Sequence, residues 1–379
     1  MSHAAQDLQN IVERIKAAAS AATPLRIKGG GSKDFYGQAL QGDILDTTGL
    51  SGITSYEPSE LVVTVKAGTP LVELEAVLAE KNQCLPFEPP HFASGTTVGG
   101  MVAAGLSGPS RASSGSVKDF VLGVNMVNGK GEVLRFGGTV MKNVAGYDVS
   151  RLMAGSMGTL GLITEVSLKV LPIAPAEATL KFECPQSEAI NMLNVWGAQP
   201  LPLNASCWIQ EAGKGMLYVR LRGAVAAVDA AVKKMGAETG GKLQNAASGN
   251  ATVAADWQAL RNQTLDFFKL QGDECLWRLS VPDTVPDLQL GDTVVEWHGA
   301  QRWVKFPYSE VANIRSKVNE LGGNATLFVA NKAINTTANF ENRVIFNPLK
   351  PPLDRIHREL KRQFDPAGIF NRGRMFADM

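Results

Sequence analysis

A run of three glycines at the end of a short apolar strand, "RIKGGGSKDF" at residues 26–35, narrows the folding options for this chain more than any other feature. With no Cβ in the way, consecutive backbone N–H groups can converge on one point, and Lys28 and Lys33 flank that concavity with positive charge. Such a loop is either a tight turn or a cradle for an anion, and alone it does not separate the two. A second glycine system, "TVGGMVAAG" at 97–105, lies in the same half of the chain. Neither run is G-x-x-x-x-G-K-S/T, which disfavours a P-loop nucleotidase, and neither is G-x-G-x-x-G, which disfavours a Rossmann site. "GSMGTLG" at 155–161 has glycines three apart, a spacing that serves close helix–strand packing. Two separated loops closing on one extended ligand would suit a dinucleotide whose pyrophosphate is held by backbone N–H groups.

At 379 residues the chain has room for two domains. Up to about residue 172, helix-like and strand-like segments alternate, which predicts α/β layering. "PLVELEAVLAEKNQ" predicts a helix with Pro70 at its first position and Leu71, Leu74 and Leu78 on one face. "VLGVNMVNGKGEVLRFGG" predicts a hairpin, with Asn128-Gly129 favouring a tight turn. Beyond "LPIAPAEA" the order becomes strand, helix, strand, strand, helix, the start of a β-α-β-β-α-β layer. A helix around "WQALRNQTLDFF" and tryptophan-bearing strands to about 307 continue it, and a basic amphipathic helix with a Pro/Gly-broken tail follows. No repeat of solenoid period is visible.

Composition excludes several classes. A net charge of +1 argues against nucleic acid as a main partner. Cys84, Cys184, Cys207 and Cys275 lie far apart, so no local motif supplies a zinc or iron–sulfur site, and a reducing, cytoplasmic compartment is expected. The first twenty residues lack the pattern of a signal peptide, and no apolar run approaches the ~18 residues of a membrane span.

Resemblance adds what spacing does not. "RIKGGGSK" resembles the pyrophosphate loop of the vanillyl-alcohol-oxidase-type (PCMH) FAD-binding fold, and "TTVGGMVAAGLSG" resembles its second flavin loop. Residues 107–172 resemble throughout the FAD-binding E subunit of bacterial glycolate oxidase, and the likeness resumes in "LWRLSVP", "WHGAQRWVK" and "FDPAGIFNRGRMF". The resemblance implies an α+β fold. A two-lobed PCMH-type FAD-binding domain would span 1–172, a smaller ferredoxin-like α+β cap 173–350, and a C-terminal helix and tail returning to the FAD domain 351–379. It implies that Gly29, Gly30, Gly31 and Ser32, flanked by Lys28 and Lys33, line the pyrophosphate. Thr97, Gly99, Gly100 and Gly105 would approach the ribityl and diphosphate where side chains would collide, and Gly115, Asp119, Gly161 and Ile163 would wrap the adenosine or flavin edge. Members of the wider fold link flavin covalently through a histidine just after the loop glycines; Ser32 stands there, so noncovalent FAD is expected, with His91 as a residual candidate. The usual tail reads Asn-Pro-Gly-Arg, whereas this one reads Asn371-Arg372-Gly373-Arg374, which removes a φ lock.

Oxidising a small 2-hydroxy acid needs a base, a cation for the carboxylate and a hydride acceptor. "EWHGAQRWVK" at 296–305 offers His298 and Arg302 as catalytic candidates. It is either a carboxylate-binding wall or a strand pair with Trp297 and Trp303 in the core and its charges facing water. With four histidines in the chain, no metal site is expected. Two readings of different class follow. In one, the chain is an FAD-binding subunit of a glycolate oxidase that converts glycolate to glyoxylate, working with a larger FAD-binding subunit and an iron–sulfur subunit and meeting the membrane only through them. In the other, it is a stand-alone FAD-dependent, D-lactate-like 2-hydroxy-acid dehydrogenase.

Overall fold

The computed structural model describes residues 3–38, 40–139, 148–239, 243–331 and 344–379. They form two compact units: Met1–Ser107, Ser116–Pro172 and Phe340–Met379 make the first, Gly108–Gly115 and Ile173–Asn339 the second. These limits differ from those read from sequence at two places: Gly108–Gly115 sides with the second unit, and that unit ends at Asn339 rather than 350. The C-terminal helix and tail join the first unit, as the resemblance implies.

The first unit begins with α1 (His3–Ala21), then β1 (Leu25–Lys28) and β2 (Asp43–Asp46), which pair in parallel. β3 (Ile53–Glu57), β4 (Val62–Lys66), α2 (Leu71–Glu80), β5 (Gln83–Cys84) and α3 (Val98–Ala104) follow. After α4 (Arg111–Ser114) of the second unit come α5 (Val117–Phe120), β6 (Val121–Val127), β7 (Val133–Gly137), α6 (Val149–Met153), β8 (Leu162–Lys169) and β9 (Leu171–Pro172). The main sheet is antiparallel, in the order β3-β4-β8-β6-β7.

Leu71, Leu74 and Leu78 of α2 are fully buried, as their spacing requires. The helix stops earlier than its pattern predicts, because Asn82 turns left-handed (φ 53°) and Gln83 pairs with Pro172 instead. The β6–β7 hairpin also departs from a two-residue turn. Asn128 Oδ1 accepts from the N–H groups of Lys130 and Glu132 (2.9 and 3.0 Å), and Gly131 rather than Gly129 takes the positive φ, 76°.

The second unit carries β10 (Ala176–Glu183), α7 (Gln186–Gly197), β11 (Leu203–Glu211), β12 (Lys214–Gly223), α8 (Val225–Glu238), β13 (Leu243–Ser248) and α9 (Ala251–Asn262). β14 (Glu274–Ser280), β15 (Thr293–Glu296), β16 (Gln301–Pro307), α10 (Val311–Glu320) and β17 (Asn324–Val329) complete it. All eight strands form one sheet, β13-β10-β12-β11-β15-β16-β14-β17. The first four, numbered from β10, run in the ferredoxin-like order 4-1-3-2. The second four, numbered from β14, run 2-3-1-4, the same order mirrored. The sheet is therefore a duplicated half-unit joined edge to edge through β11 and β15. One core lies under α7 and α8, built on Leu180, Phe182, Trp196, Leu217 and Val219. The last helix, α11 (Leu353–Phe364), belongs to the first unit, where Leu360 and Phe364 pack on its main core.

Candidate functional site

The glycine loop after β1 and the turn before α3 meet within the first unit. A Cβ on Gly29 would lie 2.3 Å from Thr97 Oγ1, and one on Gly30 would lie 1.4 Å from the carbonyl oxygen of Gly95. A Cβ on Gly99 would strike that of Ala67 at 2.6 Å. These three glycines are thus demanded by protein packing on protein, before any ligand enters. At Gly99 a side chain would already collide with Ala67, whatever the cleft holds. Gly31 adds the left-handed turn (φ 71°) that brings the loop round.

Between the two loops lies a cleft of about 790 Å³ including its open mouth. Lys28, Gly29, Gly30, Gly31, Ser32 and Lys33 line it, and so do Thr97, Gly99, Gly100, Gly161 and Ile163. The backbone N–H groups of Gly29, Gly30, Gly31 and Ser32 find no acceptor among the described residues. Four successive donors beside an open cleft form an anion cradle, the chemistry that a diphosphate needs. Burial pushes the Lys33 ammonium down to about 8, with Ser32 Oγ 3.2 Å away and the Phe92 ring centroid 5.8 Å away. A half-buried cation held by a hydroxyl and a ring face gains from an anion placed beside it.

Sequence comparison decides the family. Over 372 residues, 98% of both chains, this chain is 44% identical to glycolate oxidase subunit GlcE of Escherichia coli. The chain belongs to the GlcE family. It is an FAD-binding flavoprotein and a subunit of a multi-subunit oxidase; residues 3–137 match the family model described as an FAD binding domain. Glycolate oxidase subunit GlcD of Bacillus subtilis is 33% identical over 132 residues, and D-lactate dehydrogenase of Anaerostipes hadrus 38% over 131. Each match spans 35% of this chain and under a third of the relative. A solved structure of alkyldihydroxyacetonephosphate synthase superposes with a TM-score of 0.65 over 96% of this chain and 74% of its own, at 15% identity, which establishes the shared fold.

Within this GlcE-family chain, three expected flavin residues stand outside the cleft. Gly105 (φ 64°) ends α3, donating to the carbonyls of Met101 and Val102. Gly115 ends α4 in the second unit. Asp119 closes the capping box of α5, accepting from Ser116 N–H and Oγ at 2.8 and 2.7 Å. Burial would raise its carboxyl, but those two bonds, with Lys118 and Arg151 nearby, bring it below the usual range. His91 is paired with Glu75 at 2.9 Å and does not line the cleft. Asn371 and Arg374 of the tail, to which no short motif assigns a site role, also line the cleft.

The catalytic candidates lie in the second unit, and their polar atoms are engaged. The His298 backbone N–H donates to Ser206 Oγ (3.0 Å), its Nδ1 lies 3.0 Å from the same oxygen, and its Nε2 lies 3.1 Å from Ser113 Oγ. Burial lowers its pKa, which a nearby Asp283 partly opposes. Arg302 is 1% exposed and donates to the carbonyls of Gly299, Pro286 (2.6 Å) and Val285. Burial brings it down to about 10, with Asp287 opposing. Trp297 and Trp303 are buried, yet Glu296 and Arg302 are buried with them, so the segment is neither an open carboxylate wall nor a water-facing charged strand. Another cavity, between the sheet and α9, contains Lys181, but Glu211 holds that ammonium at 2.9 Å. Tyr218 donates to the same carboxylate (2.5 Å); burial first, then that bond, pushes the phenol up to about 12. Among the described residues no group of three or more His, Cys, Asp or Glu could hold a metal ion, and no helix is long and apolar enough to cross a membrane.

Proposed function

We propose that this chain holds FAD noncovalently inside a glycolate-oxidising complex and passes electrons to partner subunits, a larger FAD-binding chain and an iron–sulfur protein, while substrate chemistry takes place elsewhere. The observation that carries this reading is end-to-end similarity to a glycolate oxidase subunit, on a chain with four backbone donors beside a cleft, free among the described residues, and with Arg302 and Lys181 already engaged. When bound, FAD supplies two-electron acceptance. The N–H groups of Gly29 to Ser32 bind its diphosphate and Lys33 balances the charge. Ser32, with no imidazole to form a bond, leaves the cofactor releasable by acid. Arg302 spends its donors on backbone carbonyls, and the His298 ring is clamped between two serines, so neither serves a substrate carboxylate.

The deciding experiment is anaerobic addition of glycolate to the purified, flavin-loaded chain. The flavin absorbance is expected to persist, and to bleach only once the partner subunits are added. Bleaching of the isolated chain at an enzymatic rate would install the stand-alone dehydrogenase instead. Affinity for FAD tests the cradle separately. The Lys33 ammonium is charged below about 8 and an anion favours that form, so FAD binds most tightly below pH 8 and more weakly as pH rises above it. Lys33→Met should flatten that profile.

A further inference from the structure

The tail that follows α11 reaches back across almost the whole sequence to the strand and turn that carry the glycine loop. Leu25 N–H donates to the carbonyl of Ile369 (2.7 Å), and Asn371 N–H donates to the carbonyl of Leu25 (2.9 Å). Phe370 lies beside Leu25 as a parallel bridge, so the tail acts as a third strand on the free edge of β1. The Asn371 side chain extends the pairing: its Oδ1 accepts from Ile27 N–H (2.8 Å) and its Nδ2 donates to the carbonyl of Met157 (2.7 Å). Asn371 does this from a left-handed backbone, φ 39°.

Three residues on, Arg374 grips the turn beyond the glycines. Its guanidinium donates to the carbonyls of Lys33 (3.2 Å), Asp34 (3.1 Å), Tyr36 and Gln38, and its own carbonyl accepts from Gln38 N–H (2.9 Å). The side chain is 5% exposed and borders the cleft together with Asn371. The near end of the tail is fixed independently. Buried Lys361 donates to Asp365 (2.7 Å) and to the carbonyls of Thr159 and Phe370 (2.8 Å each), while Asp365 accepts from the N–H groups of Ile369 and Phe370.

We propose that Asn371 and Arg374 are positioning residues for the cofactor: the tail is a clasp that holds β1 and the 33–38 turn in the one arrangement that aims the N–H groups of Gly29 to Ser32 at the diphosphate. The glycines give the loop the freedom to converge, and the same freedom costs entropy unless something outside the loop removes it. A planar fork spanning four carbonyls removes it at one end, and an amide bonded to Ile27 removes it at the other. This inference rests on the FAD reading of the cleft. Coupling must run both ways, so bound FAD must in turn tighten the clasp.

The test uses the full chain. Apoprotein is titrated with FAD and the dissociation constant taken on the folded fraction, with urea unfolding of the apoprotein measured in parallel. Arg374→Ala should weaken FAD binding about 100-fold, and Arg374→Lys, which keeps the charge but not the fork, about 10-fold. Asn371→Gly keeps the left-handed backbone and loses both side-chain bonds; about 10-fold weakening is expected there too. Unchanged FAD affinity in folded Arg374→Lys and Asn371→Gly protein, with only the urea midpoint lowered, makes the tail plain scaffold and overturns the proposal. In the unmodified protein, amide exchange at 369–374 should slow on adding FAD while α7 and α8 stay unchanged. Equal exchange with and without FAD would also overturn it. Failure of the unmodified protein to bind FAD at all would instead strike the reading of the cleft.

Discussion

The two halves of the eight-stranded sheet run their strands in the same order, yet they fill one position differently. Between the first and second strands of the leading half stands α7, whose Ala189, Ile190, Leu193 and Trp196 are buried. Between the matching strands of the trailing half, residues 281–292 form an irregular connection that buries Val281, Val285 and Leu288. Both bury apolar side chains, but only the helix satisfies its own backbone. The connection must import donors, and it takes them from Arg302, which reaches Val285 and Pro286, and from Lys317, whose Nζ lies 2.7 Å from the carbonyl of Leu288. A cation that resembles a substrate ligand in the sequence is here the replacement for a turn of helix.

The strongest way to break this comparison is Arg302→Met. It leaves buried carbonyls without donors, and a loss of about 3 kcal/mol in urea unfolding is expected, with FAD content of the folded protein unchanged. An unaltered urea midpoint combined with lost glycolate turnover in the assembled complex would return Arg302 to the substrate. Truncating one apolar contact in each half sharpens the contrast. Leu193→Ala in α7 should cost about 3 kcal/mol, because the helix holds its cavity open, whereas Leu288→Ala should cost roughly half that as the connection settles inward. Equal costs would mean that the connection is as rigid as the helix. Lys317→Met removes one donor at a partly exposed site, and about 1 kcal/mol is expected from the same unfolding curves.

The smallest effect concerns pH and the turn between β15 and β16. In the leading half the matching turn is short, with Ala212 and Gly213 at positive φ; in the trailing half Trp297, His298 and Gly299 all take positive φ. Trp297 Nε1 donates to the carbonyl of Gly108 (3.0 Å), and the Arg111 guanidinium stacks over the Trp297 ring at 4.5 Å, so Gly108–Gly115 travels with this turn. Burial lowers the His298 pKa in the folded state, so its neutral form is the one the fold accepts. Stability from this group is complete above the unfolded histidine value of about 6.5 and is lost as pH falls from there toward the folded value. His298→Gln should flatten the acid side of the stability–pH curve, read from urea midpoints between pH 5 and 7. An unchanged slope would show that the ring is not the titrating group.

Local chemistry was legible in the sequence and long-range pairing was not. The buried face of α2 and the leading β-α-β-β-α-β order follow from short spacings, whereas the glycine run by itself left a tight turn and an anion cradle equally open. The duplication was hidden because a loop replaces a helix, which erases the periodic signal that would have matched the halves. Gly105, Gly115 and Asp119 came from the resemblance alone; each sits at a helix end, where these residue types also serve as caps. At Gly30 a Cβ would meet the carbonyl of Gly95, a neighbour that the loop's own spacing does not announce. Nothing near Asn371 or Arg374 in the chain announces partners more than 330 positions away.

The pairing of Ile369–Asn371 with Leu25 and Ile27 also sets a schedule for synthesis. β1 leaves the ribosome early, but the donors and acceptor on its outer edge are answered only by residues made after the entire second unit. At ~5–20 residues per second that interval, from Leu25 to Asn371, is roughly 17 to 70 seconds. Throughout it the nascent chain exposes an unpaired strand edge, the kind of template that recruits foreign strands and chaperones alike. Under the clasp proposal, a chain cut short inside the second unit carries the glycines but lacks the residues that hold β1 and the 33–38 turn.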